Sequence, residues 1–534
     1  MKLYINGEIH TMESCESVHS ALLEDGGKIA DIGTTEDLVN KYPEVEKIDL
    51  GGQVVIPGII DSHTHVFASA YSEKTKALFI PKSVDELLKN LKEQVKEKNP
   101  GEWIVYKNTY PLRLSELRFP TLSELTEAAP QNPVCVDGYY SSMLNECAME
   151  TIDYSCLPKG AEIEYDKNGK KTGLFKCANP YISGFASFGD GDEKTSVISL
   201  MREYNKCGIT AAVDANTFLS DIALMKAIYD EGKQSIRIRY TLMPIEENIK
   251  KALSSDLGDE SFAKVSFVKN FLDGGFLTGT AFMEYPYHNM ESVFGIDTKG
   301  EDEFGIVLFT KEQIADSIRL ARKYKLSYGA HCVGSAATKR LIEAYETVNS
   351  ESDIGDERHA LIHADFYDEE MSEKANGMGL SLLFQPAWHY MDAPSLEKVL
   401  DARDAERFMN YKNIFLANLH SAGSDHMVKH SPDDSVNPYN PFTGMYNMIT
   451  CRARDGKAYG KNTVSRFDAL SAYTREGARV CFDEDNIGTL EVGKACDFAV
   501  LDKNYFECDE NEIPAIRSVM TVVGGKCVWQ KKYQ

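Results

Sequence analysis

The 534-residue sequence has no pair of cysteines spaced as CxxC; its 12 cysteines are scattered from Cys15 to Cys527. Zinc-finger-type sites are therefore unsupported, and no disulfide framework is visible. At this length the thiols are expected to be reduced, as in a cytoplasmic protein. No uninterrupted apolar run is long enough to span a bilayer, so no membrane association is expected. The start, Met1-Lys2-Leu3-Tyr4-Ile5-Asn6-Gly7, lacks the basic and apolar regions of a signal peptide and reads as a strand entering a turn. Positive charge is also short: 58 Lys and Arg stand against 82 Asp and Glu, giving a net charge of -24 and a pI near 5.0. Such a surface repels phosphate backbones, which argues against a nucleic-acid partner. Repeats and low-complexity tracts are absent. A small-molecule substrate is the remaining expectation, with a homodimer as the base-rate assembly.

What is present is a chain that is 43% hydrophobic and long enough for two domains. Residues 1–56 alternate short apolar runs with Asn-Gly and Gly-Gly turns, as in Leu3-Tyr4-Ile5-Asn6-Gly7. The C-terminal stretch 484–534 does the same, with Ala499-Val500-Leu501 and Ser518 to Val523 ahead of Gly524-Gly525. Two half-sheets at opposite chain ends can complete one small β-sandwich domain. Between them, residues 57–483 alternate β-branched runs with helical stretches, which implies a parallel sheet. Strands are expected at Gly208 to Asp214, Arg237 to Met243, Lys264 to Leu272, Leu326 to Cys332, His359 to Ala364, Gly379 to Phe384 and Asn418 to Asp425. With Val54 to Ile60 leading into a first strand, about eight such units favour a (β/α)8 barrel of the TIM type. The stretch of about 66–200 is too long for one strand–helix unit and is expected to be a helix-rich insertion over the barrel mouth.

The chemistry begins at Ile60-Asp61-Ser62-His63-Thr64-His65. His63 and His65 alternate on a strand, so both side chains reach the same face and can bind one metal ion. A pair of hydrogen-bonded core histidines is the bland alternative. Context decides between them. Ile56 to His65 resembles the opening motif of the amidohydrolase superfamily, and the chain resembles its YtcJ-like, amidohydrolase-3 branch, which includes N-substituted formamide deformylases. Val268-Lys269-Asn270-Phe271-Leu272-Asp273-Gly274 is similar to the fourth-strand lysine segment of that branch. Gly329-Ala330-His331-Cys332-Val333-Gly334 resembles the fifth-strand histidine, Arg358 to Ala364 the sixth, and Ala422-Gly423-Ser424-Asp425-His426 the eighth-strand aspartate. Leu490 to Leu501 is similar to the segment that returns the chain to the small sheet.

The resemblance implies that His63, His65 and Asp425 bind a buried divalent metal, expected to be zinc. His331 and His363 would bind a second ion, and Lys269, carboxylated by carbon dioxide, would bridge the two. A free ammonium has no lone pair, whereas a carbamate ligates as a carboxylate does. His363 is preferred over His359 because it ends the apolar run Ala360-Leu361-Ile362, while His359 begins it at the barrel bottom. Cys332 points away from His331 and is read as packing. His426 either contacts substrate or packs beneath a loop; His389, His420 and His430 have no motif. Tyr139 and Tyr140 stand where relatives often place a histidine and are candidate substrate contacts, and Ser335 replaces an acid common in relatives. Asn437 to Phe442 reads as a rigid loop near the barrel mouth, with a structural turn as the default.

The expected reaction is hydrolysis of an amide or formamide C–N bond in a small molecule. Metal-activated hydroxide attacks while Asp425 acts as general base and then general acid. Rivals on the same residues are a cyclic amide or imide hydrolase, a deaminase, and a carbamate or ester hydrolase; a non-catalytic metal-binding scaffold is more remote.

Overall fold

The computed structural model describes residues 1–72, 79–158, 160–185, 192–298, 303–428 and 430–532. Its centre is a sheet of eight parallel strands, nearly closed into a barrel. The strands are β1 (Ile59–Thr64), β2 (Ile209–Asp214), β3 (Arg237–Leu242), β4 (Ala263–Phe271), β5 (Ser327–Cys332), β6 (Ala360–His363), β7 (Ser381–Phe384) and β8 (Leu419–Ala422). Each pairs with the next in chain order. Side chains and backbone bridge the gap between β8 and β1: Ser62 Oγ donates to Ala422 O at 2.8 Å, and Asp425 N to His63 O at 2.7 Å. A Cβ on Gly423 would lie 2.6 Å from His63 N, so only glycine permits this approach. Regular pairing in β8 stops at Ala422, earlier than the expected end at Asp425, because Asp425 takes a φ of 51° that no strand continues through.

Helices cover the barrel where sequence supplies a cap and an apolar stripe. Lys311–Lys323 starts at a reciprocal Thr310–Gln313 cap and buries Ile314, Ala315, Ile318 and Ala321 on one face. The segment after β1 holds helices Val66–Ser72, Val84–Glu97, Leu122–Ala128 and Glu146–Thr151. It also holds a five-stranded mixed sheet, Glu162–Tyr165, Lys171–Lys176, Ser141–Leu144, Val134–Asp137 and Ile104–Tyr106, which a helix-rich reading does not anticipate. These strands are only three to six residues long, too short to carry a clear period-two signal.

Both chain ends contribute to a six-stranded sheet in which Val54–Pro57 lies between Glu8–His10 and Phe498–Leu501. A four-stranded sheet from the first 49 residues accompanies it, and Tyr4, Leu22, Val55, Phe498 and Val522 belong to one buried cluster there. Val54–Pro57 passes into β1 through Gly58 alone, where a Cβ would collide with Thr210 Oγ1.

The candidate metal and substrate site

The C-terminal ends of the strands gather the polar residues. His63 leaves β1 one residue ahead of Thr64, and His65 follows it. Their Nε2 atoms lie 3.6 and 3.3 Å from Asp425 Oδ1. The three side chains offer donor atoms within 4.8 Å of one another, all buried. From β4, Lys269 Nζ lies 3.3 Å from His63 Nε2. From β5 and β6, the rings of His331 and His363 sit 4.5 Å apart, and that of His363 sits 5.2 Å from His63. The six residues expected as ligands therefore converge at one end of the barrel.

Electrostatics suit cation binding. Burial drives His63 and His331 well below the usual imidazole range, and His363 down to about 4, so these rings are neutral and each keeps one nitrogen lone pair. Nδ1 of His363 is buried with no hydrogen-bond partner among the described residues. Burial alone would raise Asp425, but the His65 hydrogen bond, His363 and Lys269 outweigh it and hold the carboxylate at about 2. Burial brings Lys269 down to about 8 against the pull of Asp425 and Asp214. Neutral imidazoles, a carboxylate and an amine that readily loses its proton form a donor set that fits divalent metal.

Backbone strain marks the same place. His363 and Asp425 have φ of 73° and 51°, and Tyr139 has 71°. Left-handed backbone is costly for a side chain of this size and persists where surroundings enforce it, commonly at functional sites. For Asp425 the enforcement is visible. Its N–H bonds β1, its carbonyl accepts Asn437 Nδ2 at 3.0 Å, and its Oδ2 accepts Trp388 Nε1 at 3.1 Å. Asp61, one alternation before His63, is the buttress behind them. It accepts Ser424 N at 2.9 Å and Ser424 Oγ at 2.6 Å, and burial raises it to about 7. Asp273 accepts three backbone N–H groups, from Phe282, Val333 and Gly334, and so fixes the loops after β4 and β5.

A cavity opens above these groups. Its walls include Tyr110, Tyr139, Tyr140, Phe271, Phe276 and Trp388, with His65, His331, His363, Asp365 and Asp425 at polar positions. Tyr140 Oη lies 3.2 Å from His331 Nε2, and burial keeps the phenol protonated. His426 is not brought to the cavity. It is fully buried behind β1, with Nδ1 2.9 Å from Tyr204 Oη and its ring 4.4 Å from Tyr439. His389 is held by Tyr459 O and Asn447, and Ser335 Oγ accepts Glu284 N.

Sequence reading missed Asp61, Arg113, Trp388 and Asn437 as parts of this site. For Asp61 the signal existed, since residues 61, 63 and 65 share a face at period two. Asn437 was placed in a rigid loop near the mouth but given no role; Trp388 and Arg113 carry no local pattern.

Fold and site together define a barrel hydrolase whose mouth is built for divalent metal. Residues 46–529 match the Amidohydrolase family, and the chain belongs to that family, making it a hydrolase of carbon–nitrogen bonds. It is 25% identical to the N-substituted formamide deformylase of Arthrobacter pascens, over 98% of this chain and 97% of that protein. It is 23% identical to the putative amidohydrolase YtcJ of Bacillus subtilis, over 99% of both. Among solved structures, an uncharacterized metal-dependent hydrolase from Pyrococcus horikoshii OT3 superposes with a TM-score of 0.69 at 21% identity, covering 96% of this chain and 99% of that one. Zinc-bound TrzN, the atrazine chlorohydrolase of Arthrobacter aurescens TC1, gives 0.55 at 14% identity, covering 99% of this chain and 95% of that one. Both likenesses speak to the fold.

Proposed function

We propose that the chain hydrolyses the amide or formamide bond of a small molecule bearing an apolar group. The observation that carries this is the convergence of His63, His65, His331 and His363 with Asp425 beneath a cavity walled largely by aromatic side chains. His63, His65 and Asp425 would hold one divalent ion, preferably zinc, with His331, His363 and a carbamate on Lys269 holding a second. Such ions polarise a carbonyl and make water a nucleophile near neutral pH.

The chain's own groups do the rest. Asp425, held ionised, accepts the proton of the attacking water on Oδ1 and returns it to the departing nitrogen. Oδ2 stays engaged with Trp388. Tyr140 Oη, protonated and beside His331, can donate to the carbonyl oxygen as negative charge develops there. The aromatic walls keep bulk water out and take up the apolar group by burial. Lys269 is near enough to its neutral form to capture carbon dioxide. The formamide deformylase relative supports the bond type.

The test is metal analysis of the purified chain together with a panel of N-formyl and N-acyl amines, cyclic imides, carbamates and esters. Release of free amine from an N-acyl member, lost on chelation and restored by zinc, supports the reading. Metal-dependent turnover confined to rings, carbamates or esters overturns the substrate assignment, and a metal-free chain overturns the site.

A further inference from the structure

One residue of the insertion reaches the aspartate by two routes. Arg113, in the turn Pro111–Arg113, is largely enclosed, with its side chain 10% exposed. Its Nε and Nη2 donate to Asp392 Oδ1 and Oδ2 at 2.7 and 2.8 Å. Nη1 donates to Val436 O at 2.6 Å, and Nη2 also to Asn437 Oδ1 at 3.2 Å. The guanidinium carbon lies 5.1 Å from the centres of the Trp388 and Tyr110 rings, within cation–π reach of both. Trp388 and Asn437 are the two side chains that bond Asp425 Oδ2 and Asp425 O. Asp392, at the far end of the helix Pro386–Asp392 from Trp388, ties that helix to the same guanidinium.

The consequence concerns which oxygen of Asp425 faces the histidines. With Oδ2 held by the indole N–H, Oδ1 is left toward His63 and His65. Left-handed backbone at Asp425 does not select that orientation unaided. Lysine in place of Arg113 would keep the charge but lose the planar fork that spans Asp392, Val436 and Asn437 at once.

We propose that Arg113 is a positioning residue for Asp425, acting through Trp388 and Asn437, so that docking of the insertion and completion of the metal ligand set are one event. The proposal rests on the reading of His63, His65 and Asp425 as metal ligands. It makes the insertion part of the metal site although it supplies no ligand.

The experiment is cobalt(II) titration of the metal-stripped full-length chain, read as visible absorption and as affinity against a competing chelator. Wild type is compared with Arg113→Lys, Arg113→Met, Trp388→Phe and the Arg113→Met/Trp388→Phe double variant. Each Arg113 variant is expected to bind cobalt about 10- to 100-fold more weakly, the range seen when a partner of a metal ligand is removed, with an altered spectrum. Trp388→Phe keeps an aromatic ring but loses the N–H; it should give the same spectral change, and the double variant should lose less than the sum of the two. Unchanged cobalt affinity and spectrum in Arg113→Met, or additive losses in the double variant, overturn the proposal. Should Arg113→Met not fold, Trp388→Phe decides alone: a wild-type spectrum there overturns it. A wild-type chain that takes up no cobalt overturns the metal reading and this proposal with it.

Discussion

Strand β6 carries a histidine at each end, and the two are treated differently. His359 precedes the strand at the bottom of the barrel. Its Nδ1 accepts Tyr328 N at 2.9 Å, its Nε2 lies 3.0 Å from Glu357 Oε2, and its ring stacks on Tyr345. His363 ends the strand at the top with left-handed backbone and an unpartnered Nδ1. The contrast extends around the barrel. At the bottom, buried charges meet protein partners: Arg237 grips Asp497 through Nε and Nη2 at 2.6 and 3.0 Å, while Arg239 and Lys264 share Asp483. Asp497 also accepts Gly524 N, so these pairs tie the barrel to the small sheets. At the top, four imidazoles and an amine crowd around the single carboxylate of Asp425, and His363 Nδ1 has no partner among the described residues. Satisfied charge at one end serves stability, and uncompensated donors at the other serve a ligand.

The contrast breaks most sharply at Asp425. Asp425→Asn keeps the shape and the capacity for left-handed backbone but removes the base. With an active substrate in hand, kcat/KM should fall on the order of 10³-fold, the scale of lost general acid–base catalysis, while the urea midpoint of the metal-free chain moves little. A variant retaining near-wild-type kcat/KM would remove Asp425 from the chemistry.

The opposite outcome is expected at the bottom. Arg237→Met leaves Asp497 buried and without its main cation, which costs about 3–5 kcal/mol for a pair this enclosed. Urea unfolding should register that loss, while metal content and kcat/KM of the folded protein stay near wild type. If activity falls in proportion to stability, the two ends are coupled and the division of labour fails.

How much of this division could be read from the sequence depends on distance along the chain. The barrel was legible because buried parallel strands such as Ile209–Asp214 and Ala360–His363 write themselves as largely apolar runs ending in a polar residue. His63 and His65 were legible from their alternation at a strand's end, and His331 and His363 from the resemblance of their segments to the family's motifs, strand position choosing His363 over His359. The supports were not. Arg113 bonds Asn437 across 324 positions, and neither residue sits in a periodic pattern that would reveal the partner. Arg237 and Arg239 look like ordinary alternating strand residues until Asp483 and Asp497 close on them. Pairings made by tertiary folding leave no local trace, and the short strands of the insertion fail for a related reason: three to six residues are too few to show a clear period.

The smallest expected effect separates the two histidines of β6. His359→Leu leaves the Tyr328 N–H buried without its acceptor, which costs about 1–3 kcal/mol. Metal content should not change. His363→Asn accepts the left-handed backbone readily, removes an imidazole that the protein itself does not satisfy, and so should cost the metal-free chain little. Its signature should be lower metal stoichiometry, measured by elemental analysis after equilibration with zinc. The two variants sit four positions apart, one just before β6 and one at its end, and differ in which quantity moves, stability for the first and metal for the second. If His359→Leu also lost metal, the bottom of the barrel would be transmitting to the ligand set. If His363→Asn kept full stoichiometry, His363 would be packing against its neighbours rather than waiting for an ion.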